Sequence, residues 1–460
     1  MVWYCAGGLH CCRRRDDDID PDPHILMSVQ QTDASRAPTA VTLAPHLASA
    51  RPACRSCGAP LQAVFADLGP MPISNAFVRP EQAAAGERFY PLRVCVCEHC
   101  WLVQTENYVA PETHFHGDYA YFSGYSETWL AHCRALAAHA VERFGLNSES
   151  RVVEVASNDG HLLQYFVERG ISCLGVDPAA NCAKVAWEHR RVRTEVAFFG
   201  TRTAARLFEQ SGAADLIVAN NVLAHVPDIN DFVAGFKILL KPEGTALFEF
   251  PHVLELIRNS QFDTIYHEHY SYPSLIALKP LFARHGLDIV DVERVRTHGG
   301  SLRLYVCHAG TVGARARPVG EIEVEEVSAG LSTTKAYVAF DARVRALKRS
   351  LLTLLIELTN ADKKIAGYGA PAKGNTLLNF CGIGADFLPF TVDRSTHKQG
   401  LLLPGTHIPI RPPDEIFAFK PDFVLILPWN LREEIMAQLA GIRAWGGKFI
   451  VPVPWPAVLD

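Results

Sequence analysis

The chain has 460 residues, of which 48% are hydrophobic, and this is enough for two or three packed cores. Its 44 lysines and arginines are outnumbered by 49 aspartates and glutamates, so the net charge of -5 argues against nucleic acid or an anionic membrane surface as the main partner. No apolar run approaches the roughly 20 residues that span a bilayer, and the N-terminus lacks the pattern of a signal peptide. We therefore expect a cytoplasmic, multidomain protein with no nucleic-acid and no membrane partner.

Residues 1–50 mix an arginine run, an aspartate run and a stretch rich in serine, alanine and proline, without sustained periodicity. Such a composition predicts a disordered N-terminal extension. Met27, inside this extension, is an alternative translation start.

Thirteen cysteines include two CxxC pairs, Cys54 with Cys57 and Cys97 with Cys100. Each pair places two thiolates across a tight turn, so the four sulfurs can close a tetrahedral zinc site with no position left for water. The metal would then be structural rather than catalytic. The 39 residues between the pairs exceed the usual ribbon spacing, and four ordinary reduced thiols are the alternative. We predict a zinc-binding domain over residues 51–110, with Cys95 as a packed spare thiol.

The segment after residue 150 begins like a nucleotide-binding α/β domain. An apolar strand containing Glu154 breaks into the turn from Ala156 through Asn158 to Gly160, and a second strand ends at Asp177, 23 residues beyond Glu154. An acidic residue at the end of the second strand typically accepts hydrogen bonds from ribose hydroxyls, while the turn lets the backbone approach the ligand. Because the turn has one glycine where a dinucleotide fingerprint has three, it favours S-adenosylmethionine over NAD.

Alternating strands and helices continue through residue 250. One strand ends at the polar pair Asn220 and Asn221, ahead of a helix start near His225, and another buried strand follows. This order predicts a parallel sheet with its ligand at the carboxyl ends of the strands. The predicted cofactor contacts are Glu154, Ala156, Asn158, Gly160, Asp177, Asn220 and Asn221.

Two further apolar segments, residues 288–295 and 301–307, are predicted to pair as a hairpin around His298, Gly299 and Gly300. Such a hairpin ends the sheet of class I methyltransferases, which this stretch resembles. The predicted central domain is therefore a Rossmann-like α/β fold.

The segment Tyr266-His267-Glu268-His269-Tyr270 packs two imidazoles, a carboxylate and two phenols into five residues, a set suited to proton transfer. Together with the two CxxC pairs, the first turn and a glycine motif near residue 367, it stands in the order found in nucleotide-sugar C-methyltransferases. The chain resembles that family over roughly residues 52–458. The family makes branched-chain deoxysugars with a zinc-binding domain, a central S-adenosylmethionine domain and a C-terminal Rossmann-like domain that helps to hold the sugar nucleotide. The resemblance implies domains at residues 51–110, 111–315 and 361–460, with a linking helix at 316–360.

The chemistry that the resemblance implies requires a base. A 4-keto sugar nucleotide has weakly acidic hydrogens on the carbon beside its carbonyl, so the enzyme must remove one, stabilise the enolate and present that carbon to the methyl group. By resemblance the base is His269, Glu268 positions it or the sugar, and Tyr266 lies near the developing enolate. A histidine with an ordinary pKa of roughly 6.5 is available as a neutral base. The remaining pocket residues implied by the resemblance are His225 and Tyr119, with Tyr121, Ser123, His298, Gly299 and Gly300 contacting the substrate.

Other interpretations of these residues stay open at this stage. The glutamate and the second histidine of the five-residue segment also suit a polar surface turn, and His225 suits a helix cap. Tyr119 and Tyr121 also suit plain packing. His267 is expected to be exposed, and a metal pair of His267 with His269 lacks the i, i+4 spacing of the helical zinc motif.

Residues 321–357 carry apolar side chains at helical spacing and predict one long linking helix. A strand then leads into a G-x-G-x-x-A turn and a helix, and Asp393 ends the next strand. This pattern predicts a second nucleotide-binding unit whose amides and Lys373 meet the diphosphate. A Rossmann-like domain without a ligand and an NAD site are the alternatives, although methyl transfer needs no hydride carrier. The substrate-binding residues predicted here are Gly367, Gly369, Lys373, Asn375 and Asp393.

The sequence as a whole predicts an S-adenosylmethionine-dependent C-methyltransferase with structural Zn²⁺, acting as a monomer or weak homodimer on a keto-deoxysugar nucleotide. Ala156 stands where many methyltransferases carry glycine, and the residues after the base point to no one sugar. An RNA base methyltransferase with a zinc ribbon is an alternative, but the cysteine-rich module is not basic. A non-catalytic scaffold is a second alternative, and it predicts that the histidine cluster lies away from the cofactor site.

Overall fold

The computed structural model describes residues 52–108, 122–311 and 317–460, which form one compact unit. The predicted disordered extension, Tyr119 and Tyr121 lie outside the described residues. The strands are β1 (Ala63–Met71), β2 (Tyr90–Val96), β3 (Val103–Thr105), β4 (Arg151–Val155), β5 (Ser172–Val176), β6 (Thr194–Glu195), β7 (Ala214–Asn220), β8 (Leu240–Pro251), β9 (Ser271–Tyr272), β10 (Leu287–Val295), β11 (Ser301–His308), β12 (Ile365–Tyr368), β13 (Thr391–Val392), β14 (Ile410–Arg411), β15 (Phe423–Ile426), β16 (Lys448–Val451) and β17 (Ala457–Leu459).

The α-helices of the described residues fill the spaces between these strands. They are α1 (Glu127–Phe144), α2 (Gln164–Val167), α3 (Ala180–Arg190), α4 (Thr201–Ser211), α5 (Ile229–Leu239), α6 (Val253–Arg258), α7 (Leu275–Arg284), α8 (Arg317–Ser328), α9 (Lys335–Val338), α10 (Phe340–Asn360), α11 (Ala372–Cys381), α12 (Glu415–Phe419) and α13 (Arg432–Gln438). Short 3-10 turns at Leu223–His225, Phe262–Thr264 and Thr297–Gly299 carry residues of the site.

The central sheet has seven strands in the order β10-β11-β8-β7-β4-β5-β6. Strands β4 to β8 are parallel, and β10 and β11 form the antiparallel hairpin at one edge, as the sequence predicted. Successive side chains of a strand point to opposite faces, and Val152 packs in one core cluster while Val153 packs in another. Both faces are therefore covered, and the predicted Rossmann-like sheet of a class I methyltransferase is confirmed. Strand β4 has β5 on one side and β7 on the other, so the order reverses there and leaves a crevice at the carboxyl ends.

The cysteine-rich module is a small antiparallel sheet in the order β1-β2-β3-β9. Its last strand, β9, comes from the central part of the chain and follows the five-residue histidine segment directly. The module also shares a core with the C-terminal part, since the ring of Phe65 stacks on that of Phe340 with centroids 4.3 Å apart. The segment carrying the predicted base is therefore held by two parts of the fold at once.

The prediction of one long linking helix is wrong. Three helices, α8, α9 and α10, cover residues 317–360. The break follows from local chemistry: Gly330 adopts a φ of +87°, and the Thr333 hydroxyl donates to the Gly330 carbonyl. Tyr337 then buries its ring and donates its hydroxyl to the Leu331 carbonyl, which fixes the turn. The apolar periodicity is genuine, but the chain folds back at this turn.

The C-terminal sheet has six strands in the order β14-β13-β12-β15-β16-β17, parallel except for β17. The predicted glycine turn joins β12 to α11, where Gly369 has a φ of +92° and a Cβ there would lie 2.5 Å from Pro428. A side chain is therefore excluded where this turn enters the helix. The second Rossmann-like domain of the prediction is present.

Candidate functional site

The four predicted metal ligands converge. The Sγ atoms of Cys54, Cys57, Cys97 and Cys100 all lie within 4.8 Å of one another, with Cys54 3.5 Å from Cys100 and Cys57 3.6 Å from Cys97. Four thiolates in this arrangement suit tetrahedral Zn²⁺ and leave no open coordination position. Cys95 is buried outside this group, and burial raises the pKa of its thiol to about 11, so it packs as a neutral thiol.

The cysteine site is linked to the histidine segment through Arg55, which lies between the first two cysteines. The Arg55 guanidinium donates to the Thr105 carbonyl at 2.6 Å and to the Pro227 carbonyl at 3.2 Å. The Thr105 hydroxyl in turn donates to the His269 carbonyl at 2.9 Å, and the Thr105 amide donates to the Tyr270 carbonyl at 3.1 Å. The module thus fixes the backbone of the predicted base, a role that the sequence did not indicate.

A cavity of about 680 Å³ opens at the carboxyl ends of β4, β5 and β7. Its walls come from the central domain, the C-terminal domain and, through Asn75, the cysteine-rich module. The sequence-predicted residues that line it are Ser123, Ala156, Asn158, Asp177, Asn220, Asn221, His225, Tyr266, Glu268, His269, His298, Gly369, Lys373 and Asp393. The predicted residues that lie behind the wall are Glu154, Gly160, Gly299, Gly300, Gly367 and Asn375.

The part of the cavity that is predicted to hold the cofactor is built on the first turn. Asp177 accepts the Asn158 amide at 2.9 Å and the Ala179 amide at 2.8 Å, and burial raises the pKa of its carboxyl to about 6. Ala156 has a φ of +59°, a left-handed conformation more typical of the glycine found there in many methyltransferases. Glu154 is fully buried behind the turn, and this desolvation raises the pKa of its carboxyl well above the ordinary value. The turn and the acid at the end of β5 therefore face the cavity together.

His269 lines the same cavity, and its hydrogen bonds define its tautomer. Its Nδ1 donates to the Thr264 carbonyl at 2.8 Å, so its Nε2 is the basic atom and accepts the Tyr266 hydroxyl at 2.7 Å. The His225 ring lies 4.6 Å away, centroid to centroid. Burial, with the nearby His225 adding to it, lowers the pKa of His269 well below its ordinary value. The imidazole is therefore neutral and able to accept a proton.

Glu268 is buried beside this pair, and its Oε1 accepts the Asn75 amide at 2.7 Å. Sequence analysis missed Asn75, which belongs to the cysteine-rich module. Asn375, predicted to bind substrate, donates from its side chain to the Ser74 carbonyl and so supports this loop from behind. A turn-rich stretch before Asn75 is the only local signal, and it does not indicate where the loop docks.

The expectation that His267 is exposed is wrong. It is 6% exposed, and its Nε2 lies 3.2 Å from both the Tyr90 and the Pro91 carbonyls. Its ring therefore points to the cysteine-rich module rather than toward His269. Within the described ranges, the cysteine set is the only group of three or more side chains placed to hold a metal ion.

A buried ionic network supports the turn that carries His298. Glu249, at the end of β8, is fully buried and accepts hydrogen bonds from Arg303 at 3.0 Å and from the Thr297 hydroxyl at 2.9 Å. His298 has a φ of +52° and its Nε2 accepts the Asn221 side-chain amide at 3.1 Å. Sequence analysis missed Glu249 and Arg303, because charges within apolar strands carry no motif.

The C-terminal wall carries the glycine turn and several charges. Asp393 accepts the Ala370 amide at 2.7 Å, and the Lys398 ammonium donates to the Ala370 carbonyl at 2.9 Å. The Lys373 ammonium donates to Asn430 at 2.8 Å. Gly367 lies within β12 and pairs in the sheet, so it does not reach the cavity.

The protein families that match the chain agree with the fold and the four-cysteine site. Residues 54–115 match a zinc binding domain, residues 129–292 a methyltransferase domain, and residues 296–454 a C-methyltransferase C-terminal domain. The fold, the four-cysteine site and these matches define a zinc-containing methyltransferase that uses S-adenosylmethionine.

The chain is 37% identical over 407 residues to the C-methyltransferase NovU of Streptomyces niveus, covering 88% of this chain and 96% of that protein. It belongs to this family of C-methyltransferases. A ubiquinone biosynthesis O-methyltransferase of Methylococcus capsulatus is 31% identical over 99 residues, which are 21% of this chain and 42% of that protein. Among solved structures, the magnesium protoporphyrin IX methyltransferase of Synechocystis PCC 6803 with bound SAH matches this chain with a TM-score of 0.33 and 14% sequence identity. The match covers 39% of this chain and 83% of that chain. Among the described residues, no helix is long and apolar enough to cross a membrane.

Proposed function

We propose that this C-methyltransferase acts on a 4-keto-deoxysugar nucleotide and methylates the carbon beside the ketone. One observation carries the proposal: the Tyr266 and His269 pair lies in the same cavity as Asn158 and Asp177 of the predicted cofactor turn. A scaffold would not need a proton acceptor facing that turn. The net charge of -5 and the small cavity favour a small acceptor over RNA.

The proposed base is Nε2 of His269. Thr264 holds the proton on Nδ1, so the lone pair of Nε2 points to Tyr266 and the cavity. As the ketone enters, the Tyr266 hydroxyl turns its hydrogen bond to the ketone oxygen, which frees Nε2 to take the proton from the adjacent carbon. Bound S-adenosylmethionine supplies the electrophilic methyl group. Glu268, fixed by Asn75, positions the sugar, and His225 completes the wall behind the base.

The proposed acceptor spans the cavity, with its sugar near His269 and its nucleotide on the C-terminal domain, residues 361–460. Gly369, Ala372 and Lys398 line that wall, and Ala372 is the first residue of α11. Backbone amides at the start of a helix suit an anionic diphosphate, and α11 begins at this turn. The active unit is proposed to be a monomer or weak homodimer.

The experiment that tests this function uses S-adenosylmethionine with a labelled methyl group and a panel of 4-keto-6-deoxy nucleotide sugars. Mass spectrometry is expected to detect one labelled methyl on carbon. The matched control is the same nucleotide sugar reduced to the 4-hydroxyl, which cannot form an enolate and is expected to gain no label. Labelling of the reduced sugar, or labelling on oxygen, would refute the proposed chemistry.

A further inference from the structure

Lys373 is a half-buried cation in the second position of α11, and it lines the cavity. Its ammonium donates to the Asn430 side chain at 2.8 Å and lies 4.8 Å from the centroid of the Trp429 ring. An ammonium has three hydrogens to donate, and among the described residues Asn430 is its only hydrogen-bond acceptor. Donor capacity is therefore left for a ligand in the cavity.

A buried carboxyl stands behind this cation. Asp263 is 0% exposed and accepts the Trp429 indole N–H at 2.6 Å through one oxygen, while its other oxygen has no hydrogen-bond partner in the described part of the chain. Burial raises the pKa of this carboxyl to about 6, and the Lys373 charge opposes that rise. Asp263 also directly precedes Thr264, the residue that holds Nδ1 of the proposed base.

The position of Lys373 is on the reacting side of the cavity. Thr376, three residues further along α11, donates its hydroxyl to the Ile265 carbonyl at 2.9 Å, so the start of this helix is held against the segment that carries Tyr266 and His269. Burial lowers the pKa of His269, and the positive charge of Lys373 acts in the same direction. Lys398 and Arg394 also line the C-terminal wall, where Lys398 is bound to the Ala370 carbonyl and Arg394 to Glu434. Lys373 therefore lies on the helix that contacts the segment of the proposed base, whereas the sequence pattern assigns it to the diphosphate.

We propose that the ammonium of Lys373 is a catalytic residue that donates a hydrogen bond to the ketone oxygen and stabilises the enolate. The inference deepens the proposed function and rests on it. In the first step the C–H bond beside the ketone breaks, its proton goes to Nε2 of His269, and its electron pair forms the carbon–carbon double bond. The carbonyl pair moves to the oxygen facing Lys373. In the second step the pair on the oxygen re-forms the carbonyl, the pair of the carbon–carbon double bond forms the carbon–methyl bond, and the sulfur keeps the electron pair of the broken methyl–sulfur bond.

The test separates enolate formation from nucleotide binding. The acceptor found for the wild type is incubated in D₂O with S-adenosylhomocysteine in place of the methyl donor, and deuterium uptake beside the ketone is followed by mass spectrometry. Lys373→Met and Lys373→Gln are compared with Lys448→Met. Lys448 is exposed, pairs with Asp460 and lies in β16, beside the edge strand of the same sheet. Binding of the free nucleoside diphosphate and of S-adenosylmethionine is measured for each by calorimetry.

Both Lys373 variants are expected to lose about 10²–10³-fold in deuterium uptake and in kcat, as on removal of an oxyanion donor. Their Kd values for the nucleoside diphosphate and for S-adenosylmethionine should stay within about twofold of wild type. For Lys448→Met, the deuterium uptake, kcat and both Kd values should all stay within about twofold of wild type. Uptake within about threefold of wild type would overturn the inference, and so would a tenfold loss of diphosphate binding, which would place the ammonium on the nucleotide. Absence of both uptake and methylation in the wild type would instead overturn the proposed function, and the inference with it.

Discussion

Replacing His269 should lower the rate, whereas replacing Asp177 should weaken cofactor binding, because the two residues line one cavity but come from different elements of the fold. His269→Asn removes the basic atom Nε2, while an asparagine amide can still donate toward the Thr264 carbonyl. Loss of a general base lowers rate by roughly 10²–10⁴-fold. The ring makes two hydrogen bonds, at 2.7 and 2.8 Å. Each partner that the substitution leaves unsatisfied lowers the free energy of unfolding by roughly 1–3 kcal/mol. His269→Asn should therefore be slow but folded, with a modestly lower Tm.

Asp177→Ala should instead weaken cofactor binding. Its carboxyl holds the Asn158 and Ala179 amides, so its removal loosens the turn as well as the proposed ribose contact. Hydrogen bonds to a charged group contribute roughly 1.5–3 kcal/mol, which corresponds to about 10–150-fold in Kd.

Calorimetry with S-adenosylmethionine and turnover at saturating cofactor distinguish the two variants. His269→Asn should bind cofactor within about twofold of wild type, and Asp177→Ala should recover most of its kcat at high cofactor. Equal loss of cofactor affinity in both variants would mean that His269 supports the cofactor site and is not the base.

Three other consequences follow from the geometry. Cys97→Ser should release zinc and lower Tm. It should also lower kcat by about 10²-fold, because the module fixes the backbone of His269. Metal analysis with kinetics tests this, and Cys95→Ser, the control, should keep both zinc and activity. Glu249→Gln removes the buried carboxylate that Arg303 and His132 share, while Arg303 keeps Glu293 as a partner at 3.1 Å. The free energy of unfolding should therefore fall by roughly 1–3 kcal/mol in denaturant titration, and an unchanged value would contradict the network. The pKa of His269 is held below its ordinary value, so the proposed base stays neutral as pH falls from 8 to about 6.5. The value of kcat/KM should therefore be constant over this range and decline only below it. A decline that begins above pH 7 would argue for another base.

Much of the site was predictable because its motifs are local. A CxxC spacing positions two sulfurs within a few residues, and an acid at the end of a strand faces the crevice of a parallel sheet wherever that sheet forms. Asp177 and the four cysteine ligands therefore came from the sequence directly. The resemblance to a known family added His269 and Tyr266, whose spacing alone does not specify a base.

The misplaced residues share a different physical cause. His267 is polar and stands beside the base, but the segment passes between two domains, so its ring is buried against the Tyr90 and Pro91 carbonyls. Asn375 follows the glycine turn, but the helix turns its side chain toward Ser74. In each case the side chain's direction depends on a contact 176 to 301 residues away in sequence, which no local pattern encodes.

The sequence by itself determined the metal ligands, the alternation of strands and helices, and the cofactor turn, because hydrophobic periodicity and short ligand spacings act over a few residues. Only the tertiary structure decided that Asn75 meets Glu268, that Arg55 and Thr105 hold the backbone of the proposed base, and that Lys373 lines the same cavity. These contacts join residues from all three domains. They form only when the shared core between the cysteine-rich module and the C-terminal domain brings those segments to one cavity.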